Sequence, residues 1–458
     1  MLGIYALFSD NRIEFKSKVE SFARDGQRVD IVSENNNSFA LISTESVLRF
    51  RFYKEGNNFL MIDGFIFNPS GERVLAKDIY EQSLKDFEYL KKLNGEFFII
   101  LRLNNRVFLI NDIMGQRQHC LSSNNNNDYS VAPSPGLSLK LLNAKKVLNR
   151  KAFLTFIVTR KLRYKQDSIW EKCKIIQAGS IYEWNQNKFE IAQYWRIAYD
   201  KNPKQFEVDK FIELYKKAVN SRLLSDQVGI TLTGGLDSRS IIGAINKGSF
   251  KFLKAYTMGI KNSKELTVAE TVASDSNVEH ISFEIKPEFA FDNFARDYFQ
   301  DEDIDLITQG FWKRFLLSIN NQDYLLHGLD LDVTLGGIYL DDKLKTISDD
   351  QSFLEFVEEK NFRLTEEEII KLFQKDIIDN ELKDVKNFIK DNALEGEDSN
   401  YIEKYDRFIM ENSMNRVILQ RYRSIRSHQE TLSPMYDRDI LKYLYSTRIE
   451  DRMNYKAF

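Results

Sequence analysis

The chain has 458 residues, 43 % of them hydrophobic, and a formal net charge of −3. That length exceeds one ordinary core and points to two or three domains, while the charge excludes a broad basic field for nucleic acid or an anionic membrane. Its two cysteines, Cys120 and Cys173, exclude a disulfide framework and suit a reducing compartment.

The N-terminus "MLGIYALFSDNRIEF" meets acid by Asp10, too soon for a secretory apolar core. No uncharged apolar run is long enough to span a bilayer, so a cytoplasmic protein is expected. The first 200 residues read mostly as strands. "MLGIYALF" alternates small and bulky apolar residues, and "FLMIDGFIF" (59–67) follows. "EFFIILRLNNRVFLIND" (96–112) is two β-rich runs joined at Asn104-Asn105, a hairpin pattern. "SSNNNNDYS" (122–130) has the composition of a surface loop. "AGSIYEWNQNKFEIAQYW" (178–195) is another strand–turn–strand pattern.

Near residue 200 the texture changes. "YDKNPKQ" (199–205) reads as a linker between a domain of residues 1–200 and one of residues 205–458. Residues 206–224 place Phe206, Phe211, Leu214, Tyr215 and Val219 near helical spacing. "QVGITLT" reads as a strand, "SRSIIGAINKG" as a short helix, "FLKAYTMGI" (252–260) as a strand, "KELTVAETVASDSN" (264–277) as a helix and "DYLLHG" (323–328) as a strand. This alternation predicts a parallel sheet with helices on both faces. From about 350 to 430 the pattern is nearly all helical. The acid run "DEDIDL" (301–306) reads as solvated surface.

One loop stands out. In parallel α/β sheets, ligands sit beyond the carboxyl ends of strands, and "LTGGLDSRS" lies at such an end. Gly234 and Gly235 have no Cβ and let the backbone come close to a bulky anion. Thr233 and Ser238 offer hydroxyls, and the first N–H groups of the following helix favour negative charge. Asp237 would repel a bare phosphate. A Mg²⁺ between them removes the conflict, because that ion prefers carboxylate and phosphate oxygens. The Walker pattern is absent, since no lysine follows the glycines. No His/Cys cluster has zinc-ligand spacing, and no Gly-x-Ser-x-Gly elbow is present.

The loop resembles the Ser-Gly-Gly-x-Asp-Ser loop of ATP pyrophosphatases, with Thr233 keeping the hydroxyl. From residue 1 to about 456 the chain resembles the asparagine synthetase family. "NGEFFIILRLNNRVFLINDIMGQRQ" (94–118) matches the family's Asn-Gly-Glu-Phe strand followed by Asn-Asp-x-x-Gly, and "AYTMGI" a strand whose end supports adenine. "LHGLDLDVTLGG" (326–337) falls on Leu-Ser-Gly-Glu-Gly-Ser-Asp-Glu-Leu-Phe-Gly-Gly, and "ETLSPMYDRDILKYLYS" (430–446) on Glu-x-x-x-Pro-Phe-Leu-Asp and a short helix. The resemblance implies an α+β glutaminase-type (Ntn-hydrolase-like) sandwich, then an α/β ATP-pyrophosphatase domain with a parallel sheet and a helical C-terminal part. It implies ATP and Mg²⁺ as cofactors. Leu232, Thr233, Gly234, Gly235, Leu236, Asp237 and Ser238 would hold the nucleotide, Met258 would touch adenine, and His327 and Gly328 would line the site. Asp237 and Asp332 would ligate the metal, with Asp237 and Lys456 the catalytic candidates. Glu430 and Asp437 flank the Pro434 turn and would pin it.

The chain departs from the family in three places. The family's nucleophilic cysteine after Met1 is Leu2 here, so the first domain reads as a silent glutaminase fold. The family's Glu that helps form the aspartyl adenylate is Leu329, followed by an extra acid, Asp330. Lys456 stands two residues closer to Pro434 than the family lysine, and Arg452 is the alternative cation. The expected function is an ATP-dependent ligase that adenylates a small-molecule or peptide carboxylate and forms an amide with ammonia or an amine. It would have no nucleic-acid or membrane partner, and a homodimer is an expected state. The alternatives are an intramolecular amide former of the β-lactam synthetase or lasso-cyclase kind and a non-catalytic ATP-binding relic.

Overall fold

A computed structural model describes the chain except residues 10–13, 25, 35–36, 45–47, 161, 163, 186, 225–226, 247–251, 292–314, 317–318, 320–323, 329, 336–337, 374, 419–425, 427–428, 455 and 457–458. The acid run 301–306 and Leu329 lie outside the described residues.

Two antiparallel sheets fill the first 193 residues. One contains β1 (Gly3–Phe8), β2 (Arg28–Glu34), β3 (Asn37–Ser43), β8 (Cys120–Ser123), β9 (Tyr129–Ala132) and β10 (Cys173–Ile175), in the order β10-β8-β9-β1-β3-β2. The other contains β4 (Phe52–Glu55), β5 (Asn58–Phe67), β6 (Asn94–Leu103), β7 (Arg106–Asn111), β11 (Ser180–Asn185) and β12 (Lys188–Gln193), in the order β12-β11-β7-β6-β5-β4. They pack face to face through Ile4, Ala6, Phe8 and Phe39 of the first and Phe59, Met61, Phe98 and Ile100 of the second.

The outer faces are covered by helices that strand patterning hid. α1 (Phe15–Phe22) and α3 (Pro135–Leu141) cover the first sheet, burying Phe15, Val19, Leu137 and Leu141 with Tyr5 and Leu7. α2 (Ala76–Lys85) covers the second through Ile79 and Tyr80. The result is a four-layer helix–sheet–sheet–helix sandwich. The expected hairpin turns at Asn104 and Asn105, whose φ values of 48° and 67° suit a two-residue loop that asparagine tolerates. The expected loop at 122–130 is shorter than its composition suggested. β8 and β9 run into it, and Asn124 Oδ1 closes the tip by accepting from the N–H groups of Asn126 (2.9 Å) and Asp128 (3.0 Å).

The second half is built on a five-stranded parallel sheet. β13 (Gln227–Thr231), β14 (Phe252–Gly259), β15 (Glu279–Glu284), β16 (Tyr324–Leu326) and β17 (Thr431–Leu432) lie in the order β15-β14-β13-β16-β17. The described pairings in it are all parallel. The order reverses between β13 and β16, which makes a crevice beyond their carboxyl ends. α5 (Val208–Ser221), α6 (Leu236–Ala244) and α7 (Lys264–Asp275) flank the sheet. A short α8 (Leu331–Thr334) follows β16, and α9 (Asp350–Asn361), α10 (Glu366–Leu372), α11 (Lys375–Leu394) and α12 (Tyr401–Ile409) form the expected helical part. α13 (Arg438–Tyr445) closes back on α5. α4 (Arg150–Thr159), from the first half, buries Leu154 and Val158 among the helices of the second.

The halves are also joined by a buried ionic clamp. Arg51 Nη2 and Arg117 Nη1 each donate to Glu430 at 2.9 Å, and Arg117 Nη2 donates to Thr431 O at 2.9 Å. Arg426 pairs with Asp63. Arg222 reaches Glu96 at 3.3 Å and Asp437 at 3.1 Å. Glu430 and Asp437 thus do pin the Pro434 turn, and they pin it to the other half of the molecule. Burial alone would raise the Asp63 carboxyl, but its arginine neighbours hold it down at about 2.

His119 lies beside this clamp, stacked on Phe98 at 4.0 Å between ring centroids. Its Nδ1 faces Arg117 O at 2.8 Å and so bears the proton, while Nε2 accepts from Ile4 N–H at 3.1 Å. Burial pushes its pKa down to about 4, so the folded state binds fewer protons than the unfolded state between about pH 4 and 6.5. Stability from this group is therefore lost as pH falls through that window. Asp112, raised by burial to about 6, acts in the opposite sense over nearly the same range. The histidine is isolated by comparison with His119→Gln. Wild type should lose up to about 3 kcal/mol relative to the variant between pH 6.5 and 4 in urea melts. Parallel curves would contradict the neutral assignment.

Candidate active site at the sheet crossover

The loop from Leu232 to Gly235 leaves β13 and runs into α6, as expected, but the helix begins at Leu236 and ends at Ala244, earlier than the apolar pattern suggested. Gly235 caps α6 with no side-chain acceptor, so the first-turn N–H groups face the crevice with a positive dipole end. The loop is braced from within. Thr233 N donates to Ser238 Oγ at 2.9 Å, the two hydroxyl oxygens are 3.1 Å apart, and Gly235 N donates to Thr233 Oγ1 at 3.1 Å. The two hydroxyls expected to meet phosphate are engaged in shaping the loop.

The glycines divide by role. A Cβ on Gly328 would lie 2.8 Å from the backbone of Asp237 and Ser238, so a side chain there would push β16 and α6 apart. A Cβ on Gly234 would meet nothing nearer than 3.5 Å, and neither Gly234 nor Gly235 has a positive φ. Neither the fold's packing nor its backbone explains glycine at 234. An added methyl would rest against Glu265 and Val268 of α7 at ordinary contact distance, so the fold tolerates it. Gly234→Ala should therefore keep the wild-type melting temperature within about 2 °C while weakening nucleotide binding at least about tenfold by calorimetry. A matched loss of stability would assign the glycine to the fold instead.

Two acids 95 residues apart in sequence meet here. Asp332 N lies 3.5 Å from Asp237 Oδ2, and Asp332 Oδ1 accepts from Val333 N at 2.7 Å. Burial, then Asp332, then Asp330 push the Asp237 carboxyl up to about 7. Asp330 is buried at φ 76°, an uncommon conformation for a non-glycine residue, and its Oδ2 accepts from Tyr436 Oη at 3.0 Å. Among the described residues no group of three or more His, Cys, Asp or Glu is arranged as a self-sufficient metal cage. Mg²⁺ does not need one, since it is held by one or two carboxylates together with phosphates and water. A close pair of carboxylates, one with its ionisation suppressed by burial and by the other, is a donor set that fits such a cation.

Other expected residues are placed differently. Leu232 has its side chain in the core with Ala255, Ala269 and Ala273, and its backbone N–H donates to Tyr256 O at 2.9 Å. Met258 is half-buried, packed against the cluster that holds Tyr256, Phe315 and Leu325. Leu236, the first residue of α6, is 52 % exposed. His327 is buried, with its N–H donating to Leu432 O at 3.0 Å. Lys456 is exposed, and its Nζ donates to Glu450 O at 3.1 Å rather than meeting the loop. Arg452, the alternative cation, is buried and held by Thr334 O (3.0 Å) and Tyr199 Oη (2.8 Å). It anchors α8, which bears Asp332. Sequence reasoning missed Thr257, whose hydroxyl donates to Leu232 O at 2.7 Å, leaving His280 Nε2 as the donor to Thr257 at 2.8 Å. Threonines are common in strands, and nothing marked this one.

Comparison with known proteins adds a family. Residues 210–308 match the model described as asparagine synthase. No curated protein matches the chain. Solved structures that resemble it include glutamine phosphoribosylpyrophosphate amidotransferase from B. subtilis complexed with ADP and GMP, at 7 % identity over 71 % of this chain and 74 % of that one, with a TM-score of 0.26. A structure of the allosteric regulatory enzyme of purine biosynthesis matches at 8 % identity over the same shares, with a TM-score of 0.27. The NH3-dependent NAD synthetase from Campylobacter jejuni subsp. jejuni NCTC 11168, in complex with the nitrate ion, matches at 15 % identity over 42 % of this chain and 100 % of that one, with a TM-score of 0.22. The segment matched by the asparagine synthase model holds β13, the glycine loop, α6 and Asp237.

Proposed function

We propose that the chain is an ATP-dependent amide ligase of the ATP-pyrophosphatase type. The observation that carries this reading is the meeting of Asp237 and Asp332 beside a glycine loop at the sheet's crossover. Loop backbone from Thr233 to Ser238 and the α6 N-terminus receive the phosphates. Asp237 and Asp332 would hold Mg²⁺, which when bound neutralises charge on pyrophosphate as it leaves. A carboxylate oxygen of the substrate attacks the α-phosphorus of ATP, the bond to the β-phosphate oxygen breaks, and an acyl-adenylate and pyrophosphate form. Ammonia or an amine then attacks the acyl carbon, loses a proton, and AMP departs.

The first half, read as a glutaminase-like Ntn sandwich, supplies no nucleophile. Leu2 is fully buried among Met1, Tyr5, Phe15 and Val19, and the Met1 amine donates to Phe22 O at 2.7 Å. The place where a catalytic side chain would stand is packed apolar core. That observation favours an amine within the substrate, as in an intramolecular amide former, as the second reading. Pyrophosphate exchange into ATP across a panel of carboxylic acids tests the proposal, with amino-bearing acids separating the second reading from ammonia-dependent amidation. Exchange with none of the acids would count against both and favour a nucleotide-binding relic.

A further inference from the structure

We propose that the cleft between the first half and α11 is a second ligand site, for a neutral polyhydroxylated molecule such as a mono- or disaccharide. The cleft has a volume of about 500 Å³, within the size range of small-molecule sites, and lies at a junction of halves where such sites concentrate. It shares no lining residue with the Thr233–Ser238 loop.

Its walls are unusual in chemistry. Six carboxamides line it: Gln118, Gln166, Gln177 and Gln193 from the first half, and Asn387 and Asn392 from α11. Each carboxamide offers both a donor and an acceptor, which matches hydroxyl groups that also do both. Tyr164 and Trp195 add aromatic surface, with the Tyr164 ring centred 4.9 Å from that of Phe388 across the two walls. Aromatic rings with placed polar groups suit the apolar C–H faces and hydroxyl edges of a sugar.

The charges in the cleft are largely compensated within the protein. Arg196 binds both Glu395 (2.8 Å) and Glu411 (3.0 Å), and Asp384 binds Lys151 at 2.5 Å. Lys165 and Asp391 remain and are of opposite sign. One arginine against two glutamates leaves a single negative charge in excess, small beside six carboxamides, and the spermidine probe tests whether it selects a cation. The wall from the first half is held rigid by the Asn111-Asp112-x-x-Gly115 turn, a motif with no part in the nucleotide site. Asp112 is buried and accepts backbone N–H bonds from Phe97 (3.2 Å), Met114 (2.9 Å) and Gln116 (3.0 Å), which fixes the strand end leading to Gln118.

The test uses the full chain and saturation-transfer NMR with D-glucose, N-acetyl-D-glucosamine and maltose, against spermidine and glutarate as cationic and anionic probes. At least one sugar should bind at concentrations up to about 10 mM. Gln166→Leu and Asn387→Leu, one on each wall, should each weaken it at least about tenfold. Asp237→Asn should leave sugar binding intact, which keeps the result separate from the nucleotide site. The proposal is overturned if no sugar binds, if both leucine variants bind like wild type, or if spermidine or glutarate binds and is lost in those variants.

Discussion

Asp237→Asn should reduce carboxylate-dependent pyrophosphate exchange by at least about a hundredfold while the protein melts within a few degrees of wild type. The substitution keeps the shape and removes the charge. In the folded protein burial, then the adjoining Asp332 and then Asp330 push the Asp237 carboxyl up to about 7. Such a pair is costly without a cation, since like charges in a half-buried site disfavour each other. Relieving it should leave stability unchanged or slightly improved without Mg·ATP. With Mg·ATP present, the thermal stabilisation that ligand binding gives wild type should vanish in the variant. A variant that retains exchange removes Asp237 from the chemistry.

Arg117→Ala should destabilise the protein by about 3–5 kcal/mol, because it leaves Glu430 buried with a partner lost and Thr431 O without its donor. Arg117 and Glu430 are both fully buried, and the pair joins the two halves. The contrast is Arg106→Ala, which breaks a surface bridge to Glu183 in which the arginine is 61 % exposed, and should cost under about 1 kcal/mol. Urea midpoints measure both. The clamp also bears on function. Glu430 O accepts from Leu325 N at 2.8 Å, and β17 pairs with β16, whose end continues into His327 and Gly328. Loosening Arg117 therefore loosens the strand that presses Gly328 against α6. Similar losses for the two variants would contradict a clamp built on desolvated charge.

Much of this was legible in the sequence where local pattern and tertiary environment agree. The Asn104-Asn105 hairpin follows from two residues that tolerate positive φ between β-rich runs. The parallel sheet follows from the alternation of short apolar strands with helices, and the loop at 232–235 from its position after β13. The sandwich's helices were less visible. α2 and α3 are short and lie between strong strand signals, so the period of two masked the period of 3.6. At the site, Asp237 and Asp332 were readable as a pair only through the family resemblance. Their meeting depends on strand order, which local spacing does not encode. Lys456 and Arg452 show the same limit in reverse. Distance along the chain from Pro434 could not reveal that one side chain bonds Glu450 O on the surface and the other is sealed behind α8. The clamp was invisible for a related reason, since its eight charged side chains are scattered from Arg51 to Asp437.

The most direct test of the central claim is the identity of the bond broken in ATP. Phosphorus NMR of the purified full-length protein with Mg·ATP, hydroxylamine as a general amine and a panel of carboxylic acids reads it without ambiguity. The account predicts AMP and pyrophosphate in equal amounts, dependent on the acid and absent in Asp237→Asn. Formation of ADP and phosphate, or intact ATP with every acid, would contradict it.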